Sequence, residues 1–285
     1  MMRKGLVLEG GGMRGAYTAG VLAWMIENNV DFEYGVGISS GALHLASFFQ
    51  QDIKSLHDYS ITYVASKENV GIRPFLKEGR YVGYDYMFDN LLVKHTKYKV
   101  DKLKESDKKF EFGLYDVVKG DCKYFDKFYL DNKLTALKAA CALPIASRII
   151  KYHGNKYLDG GIKVMIPIER ALENNLDKIV VITTKPAGYI RKPASKFMRA
   201  FMKANYLQYP QLCKDYNVRH ENYNRQVQII NDLVKEDKAL HLLPSRVIDV
   251  SRFSASVESL QELYELGFSD CEMRKEKIFS YLGMK

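Results

Sequence analysis

Residues 4–41 decide the fold, and they read KGLVLEGGGMRGAYTAGVLAWMIENNVDFEYGVGISSG. A short apolar run over residues 4–9 ends at glycines, and apolar side chains then recur at a helical spacing over residues 17–28. A second short run, residues 34–38, also ends at small residues and precedes a helix-like stretch over residues 42–49. The order strand, helix, strand, helix within so short a segment is typical of a parallel α/β sheet.

The rest of the chain extends this pattern and then changes character. The β-branched residues 178–184 (KIVVITT) predict a further buried strand, preceded by a helix over residues 168–174. Beyond this strand the sequence becomes polar and rich in helical spacing, and residues 257–282 predict two helices that break near Gly267.

These elements predict an α/β fold with a mainly parallel central sheet flanked by helices. We expect its core to comprise residues 3–185 and a helix-rich C-terminal extension, residues 186–285, to pack on that core.

The composition of the 285-residue chain excludes several classes of protein. Hydrophobic residues make up 47% and charged residues 27%, which is typical of a globular chain and of neither a disordered nor a fibrous one. The formal net charge of +9 favours an anionic partner without choosing among nucleic acid, lipid headgroups and anionic substrates. The 4 cysteines show neither disulfide-framework nor zinc-ligand spacing. Since no signal peptide or membrane-spanning run is present, we expect a soluble cytoplasmic protein.

Gly10, Gly12 and Gly15 form the pattern G-x-G-x-x-G between a predicted strand and a predicted helix. A dinucleotide-binding turn has this form, but that fold needs an acidic residue at the tip of the second strand, where Ser39 and Ser40 stand instead. A non-catalytic protein that binds phosphate, nucleotide or lipid at the glycine loop is therefore one alternative function.

Gly37, Ser39 and Gly41 form the pattern G-x-S-x-G between a strand and a helix, which is the setting of a nucleophile elbow. The register favours Ser39 over Ser40 as the nucleophile, although a plain turn with a helix-capping serine has the same pattern. Because parallel strands place their loops at one edge of the sheet, we expect the glycine loop beside Ser39. Its amides and the Ser40 N–H could stabilise an oxyanion, and Arg14 could add a cation.

A nucleophilic serine needs a base. His44 lies within the helix after the elbow, and neither His220 nor His241 lies in a recognisable strand-end loop. These histidines leave open a second alternative function, a Ser-His-Asp hydrolase of another α/β fold. Asp159, in YLDGG at the end of a short apolar run, is the better candidate, although an ordinary Asp-Gly turn has the same sequence.

Three blocks in this order resemble the patatin-like phospholipase family: residues 10–15 (GGGMRG) as its oxyanion loop, 37–41 (GISSG) as its elbow and 159–161 (DGG) as its base motif. Residues 139–144 (AACALP) are similar to the family's Ala/Ser-rich segment that ends in proline. The resemblance spans about residues 3–185 and implies a three-layer α/β fold.

The resemblance also implies a reaction: Ser39 attacks an acyl ester or phospholipid, Asp159 acts as general base, and water releases the fatty acid from an acyl-enzyme. It calls for no metal, organic cofactor or nucleic acid. His44 and Ser40 stand where the family often has Asn and Ala, which changes the polarity of the pocket. The implied oxyanion and substrate-binding residues are Gly10, Gly11, Gly12, Met13, Arg14, Gly15 and Ser40, and the motif glycines are Gly37, Gly41, Gly160 and Gly161.

Residues 192–207 predict an amphipathic helix with a basic side. Packing on the core is the commonest role of such a helix, a lid over the acyl pocket is a second, and peripheral contact with an anionic membrane is a third. One face carries Phe197, Met198, Phe201, Met202 and Tyr206, and another carries Lys196, Arg199 and Lys203.

Overall fold

The computed structural model describes residues 2–79, 82–83, 85–89, 99–251 and 254–284. In this part of the chain one sheet of eight strands is formed, with the order β5-β6-β3-β2-β1-β7-β8 and with β4 also paired to β3. The strands are β1 (Lys4–Leu8), β2 (Tyr34–Ile38), β3 (Lys109–Asp116), β4 (Asp121–Asp126), β5 (Ile150–Tyr152), β6 (Asn155–Asp159), β7 (Lys178–Ile182) and β8 (Ala239–Leu242).

Helices cover both faces of the sheet. They are α1 (Gly15–Glu27), α2 (Ser40–Phe49), α3 (Ile53–His57), α4 (Ile72–Glu78), α5 (Val100–Glu105), α6 (Thr135–Ala140), α7 (Ile168–Leu172), α8 (Lys196–Asn205), α9 (Pro210–Lys235), α10 (Val257–Glu272) and α11 (Lys275–Leu282). None of the helices in the described ranges combines the length and the apolar character that crossing a bilayer requires.

The layers follow from the alternation of side chains along the strands. In β1, Leu6 and Leu8 join the apolar cluster that α1, α2 and α10 cover. Val7 points to the other face and joins the cluster that α7 and α9 cover. Strands β3, β2, β1, β7 and β8 pair parallel with one another in this order, whereas β6 pairs antiparallel with β3 and β5, and β4 pairs antiparallel with β3. The expected three-layer α/β fold with a mainly parallel sheet is confirmed.

The C-terminal part differs from the sequence prediction in two places. It contributes β8, which pairs parallel with β7 and so extends the sheet of the core. The predicted helix break near Gly267 is wrong, because α10 runs through this residue and the chain turns at Met273 and Arg274 instead. A Cβ on Gly267 would lie 2.2 Å from the Tyr17 carbonyl oxygen, so the glycine allows α10 to approach α1 closely.

Candidate active site

Ser39 occupies a sharp turn between β2 and α2. Its backbone has φ 56° and ψ −130°, a conformation that is strained for any residue other than glycine. A Cβ on Gly37 would lie 2.6 Å from the Gly41 carbonyl carbon, and one on Gly41 would lie 2.8 Å from the Leu8 carbonyl oxygen. The two flanking glycines therefore make this turn sterically feasible, and they leave Ser39 at the first turn of α2.

Asp159 reaches the same place from the opposite direction along β3. Strand β2 pairs with β3 as far as Ile38 opposite Gly113, and β6 pairs with the next residue of β3, since Asp159 lies opposite Leu114. Strand β4 pairs along both stretches, so β2 and β6 share the other edge of β3. Because β2 is parallel and β6 antiparallel to β3, their carboxyl ends run toward each other and bring Ser39 and Asp159 together.

The turn after Asp159 holds its carboxylate in place. Asp159 is buried, its Oδ1 accepts the Gly161 N–H at 2.7 Å, and its own N–H donates to the Ala142 carbonyl at 2.8 Å. A Cβ on Gly160 would lie 3.1 Å from Ile38 Cδ1, which places this turn against the residue that precedes Ser39.

The glycine loop lies directly beside the elbow. A Cβ on Gly10 would lie 2.9 Å from Ser39 Cβ. The Gly10 N–H donates to the Met165 carbonyl at 3.1 Å, and the Gly11 N–H donates to Ser40 Oγ at 3.0 Å, so both amides are engaged. A short 3₁₀ turn, Gly12–Arg14, follows.

The first amides of a helical turn have no acceptor within the turn. Within the described ranges, those of Gly12 and Met13 also have no other hydrogen-bond acceptor. The Ser40 N–H begins α2 in the same way. Three N–H donors are thus available on residues that line one cavity together with Ser39.

A buried acid and a half-buried base lie behind the glycine loop. Glu9 is buried and accepts hydrogen bonds from the Thr184 N–H and hydroxyl at 2.5 and 3.1 Å. Burial raises the pKa of the Glu9 carboxyl and lowers the pKa of the Arg14 guanidinium, while their opposite charges act against both shifts. Arginine stays protonated in proteins, so Arg14 adds positive charge at the end of the loop.

A mostly apolar cavity of about 90 Å³ opens beside Ser39. His44 and Ser60 form a polar patch in its wall, where His44 Nε2 and Ser60 Oγ are 2.9 Å apart. Burial lowers the pKa of His44 to about 3, so this ring is neutral. The other lining residues are Gly12, Met13, Ala16, Ser40, Leu43, Tyr59, Val64, Asn69, Val70, Val82, Met87, Cys141 and Leu143.

Asp159 lines a second cavity of about 210 Å³, which adjoins the first at Leu143, since this residue lines both. Three residues that follow the core in sequence also line the second cavity: Met198 of α8, and Tyr216 and Arg219 of α9. The C-terminal part therefore supplies walls of the candidate site.

Helix α9 binds the loop that follows Asp159 by side chains spaced along one face. The Arg219 Nε–H donates to the Gly161 carbonyl, and the Asn222 amide donates to the Lys163 carbonyl at 3.1 Å. One turn further, Gln226 Oε1 accepts the N–H groups of Met165 and Ile166 at 3.2 and 3.0 Å. Because the Met165 carbonyl in turn accepts the Gly10 N–H, α9 is linked to both the Asp159 turn and the glycine loop.

The other two candidate histidines, His220 and His241, hydrogen-bond residues other than Ser39. His241 is on β8, with Nε2 2.8 Å from Thr183 Oγ1, and His220 is on α9, with Nδ1 3.1 Å from the Asn217 carbonyl oxygen. Among the histidines in the described ranges, none hydrogen-bonds Ser39.

No motif in the sequence marks Arg219, Asn222 or Gln226 as part of the site. Polar residues at intervals of three and four on a helix are usually solvent-exposed, whereas Arg219 and Gln226 are buried. The polar spacing therefore gave no signal that this face of α9 contacts protein.

Comparisons with known proteins cover nearly the whole chain. A family model described as "Patatin-like phospholipase" matches residues 6–172, and one described as "Domain of unknown function (DUF6363)" matches residues 209–283. The uncharacterized protein YjjU of Escherichia coli (strain K12) is 26% identical over 275 residues, which are 93% of this chain and 75% of YjjU. The crystal structure of VipD from Legionella pneumophila aligns with a TM-score of 0.51 at 12% identity, over 97% of this chain and 67% of VipD, and this likeness concerns the fold.

Proposed function

Because the chain belongs to the patatin-like phospholipase family, we propose that it is a lipid acyl hydrolase that cleaves acyl esters with Ser39 as nucleophile and Asp159 as general base. Family membership supports lipid acyl hydrolysis in general. The two roles rest on one observation: the strand ends that carry Ser39 and Asp159 meet on the same edge of β3, beside the glycine loop.

In the first half of the proposed reaction, Ser39 Oγ attacks the carbonyl carbon of the ester while its proton passes to the Asp159 carboxylate. The tetrahedral intermediate then collapses, and the leaving alcohol takes the proton from Asp159. An acyl-enzyme on Ser39 remains.

In the second half, a water molecule gives a proton to Asp159 and attacks the acyl carbonyl. Collapse of this intermediate breaks the bond to Ser39 Oγ, which regains its proton from Asp159, and the fatty acid leaves. The bond from Oδ1 to the Gly161 N–H supports these roles, because it fixes the carboxylate through both proton transfers.

The oxyanion of both intermediates is assigned to the N–H groups of Gly12, Met13 and Ser40. The amides of Gly10 and Gly11 already have acceptors, so in this assignment they shape the loop. One well-placed donor is worth about 3–4 kcal/mol of transition-state stabilisation. The positive charge of Arg14 and the dipole of α2 favour the same oxyanion.

The acyl chain is assigned to the cavity beside Ser39, because its walls are mostly apolar and it begins at the nucleophile. The leaving alcohol is then assigned to the cavity that contains Asp159, since that carboxyl must protonate it.

Hydrolysis of an aryl ester series of increasing acyl length tests the proposal. We expect turnover by the wild type, loss of at least about a thousandfold in kcat in Ser39→Ala, and a loss of similar size in Asp159→Asn with little change in KM. Retention of activity in Asp159→Asn and its loss in His220→Ala or His241→Ala would instead support a Ser-His-Asp enzyme. No turnover of any ester, with thermal stabilisation by a nucleotide or phosphate, would support a binding protein.

The physiological substrate is assigned to the class of acyl esters that includes phospholipids, and nucleic acid has no part in the proposal. The cytoplasmic location stays a prediction.

A further inference from the structure

The net charge of the chain is concentrated in one segment, residues 185–214, the basic segment. It contains seven Lys or Arg residues and no Asp or Glu, so the rest of the chain holds 36 basic residues against 34 acidic ones. Helix α8 and the start of α9 lie within it. The seven basic residues are Lys185, Arg191, Lys192, Lys196, Arg199, Lys203 and Lys214.

The basic segment also exposes large apolar side chains. Ile190, Phe197 and Leu207 are 74%, 75% and 71% exposed, and Phe201 is 40% exposed. The rings of Phe197 and Phe201 are stacked on each other on the outer side of α8, with centroids 6.1 Å apart. Such clustering of exposed apolar groups marks an interaction site.

Helix α8 has three distinct sides. Its inner side packs on the protein through Met202, which is buried, and through Met198. The stacked phenylalanines lie on a second side, and the basic side chains Lys196, Arg199 and Lys203 lie on the third. Packing on the core therefore accounts for the methionines but not for the phenylalanines.

The basic side faces an open groove of about 560 Å³. Four cations line this groove, and none of them forms an ion pair with another described residue. They are Lys196, Arg199, Lys203 and Lys214. Positive charge without an internal counter-charge, beside exposed aromatic rings, matches an anionic phospholipid surface, which offers phosphate to the cations and apolar depth to the rings.

We infer that α8 and the groove beside it dock the enzyme on an anionic membrane. The inference rests on the proposed function, because Met198 on the inner side of α8 lines the cavity that contains Asp159. Docking through the outer side would thus hold the candidate site next to the lipid from which its substrate comes.

Flotation with phosphatidylcholine vesicles, with and without phosphatidylglycerol, tests the inference. We expect binding to the anionic vesicles and its loss at high salt. Each cation near an anionic membrane surface strengthens binding about fivefold, so replacing Lys196, Arg199 and Lys203 by Gln should weaken vesicle binding about 100-fold. Phe197→Ser with Phe201→Ser should weaken binding at least about tenfold.

Matched controls lie on other surfaces of the protein. Lys235, Lys238 and Arg246 are exposed cations, and Phe128 and Val247 are exposed apolar residues. Their replacement by Gln and by Ser, respectively, should leave vesicle binding within about twofold of the wild type.

Docking and catalysis are separated by two further measurements. Ser39→Ala should bind vesicles like the wild type, and the Phe197/Phe201 variant should hydrolyse a dissolved ester like the wild type. Absence of binding, or equal binding to neutral vesicles, would overturn the inference even if the enzyme is active. A wild-type dimer that these Ser substitutions dissociate, without vesicle binding, would assign the surface to a second copy of the chain and would also overturn it.

Discussion

Replacing Gln226 by Met tests whether α9 is an integral support of the candidate site. Gln226 is fully buried, and its Oε1 accepts the N–H groups of Met165 and Ile166. Met has a similar length but no acceptor, so both amides lose their partner, at a cost of about 1–3 kcal/mol each. Gln226 Nε2 is buried without a hydrogen bond to any described residue, so its removal increases the free energy of unfolding by about 1–3 kcal/mol and offsets part of this cost. The free energy of unfolding should therefore fall by about 1–3 kcal/mol.

Gln228 on the same helix supplies the matched control. It is exposed, and its Nε2 donates to Asp232 at 3.0 Å. Gln228→Met should change the free energy of unfolding by less than about 0.5 kcal/mol. Urea unfolding with linear extrapolation measures both values. If Gln226→Met is no more destabilising than Gln228→Met, the described support of the loop by α9 is wrong.

Three further predictions concern the site and its surroundings. Burial lowers the pKa of His44 to about 3, so between pH 7.5 and pH 5 this histidine takes up a proton in the unfolded chain but not in the folded protein. The free energy of unfolding should therefore fall by about 2 kcal/mol over this pH range because of His44, and urea unfolding of His44→Gln should lack this part of the pH dependence. Ala16→Leu adds three carbons to the wall of the acyl cavity and should lower kcat/KM at least about tenfold more for long than for short acyl esters, whereas equal losses would place the acyl chain elsewhere. Arg219→Lys removes the Nε–H that binds the Gly161 carbonyl and should lower kcat about 10- to 100-fold with KM nearly unchanged, so an unchanged kcat would contradict a positioning role.

The sequence predicted those parts of the molecule that depend on neighbouring residues. The turns at residues 10–15 and 37–41 have glycines where the backbone or its neighbours leave no room for a side chain, and this requirement is local. The Asp159 turn was predictable for the same reason, since its hydrogen bond to the Gly161 N–H spans two residues.

The parts that the sequence did not predict depend on contacts between distant segments. Gln226 and Met165 are 61 residues apart, and nothing near either residue indicates the partner. Gly267 suggested a helix break because glycine is a poor helix former, but its contact with Tyr17 on another helix decides its role. The four-residue strand β8 is too short to show a clear alternation and forms because β7 offers it a free edge.

Identification of the residue that a fluorophosphonate modifies is the most direct test of the central claim. The reagent forms a covalent bond to an activated serine, and peptide mass spectrometry locates the adduct. We expect one adduct on Ser39, none in Ser39→Ala, and labelling of Asp159→Asn that is slower by at least about a hundredfold. An adduct on another serine, or labelling that persists in Ser39→Ala, would contradict the assignment of Ser39 as the nucleophile.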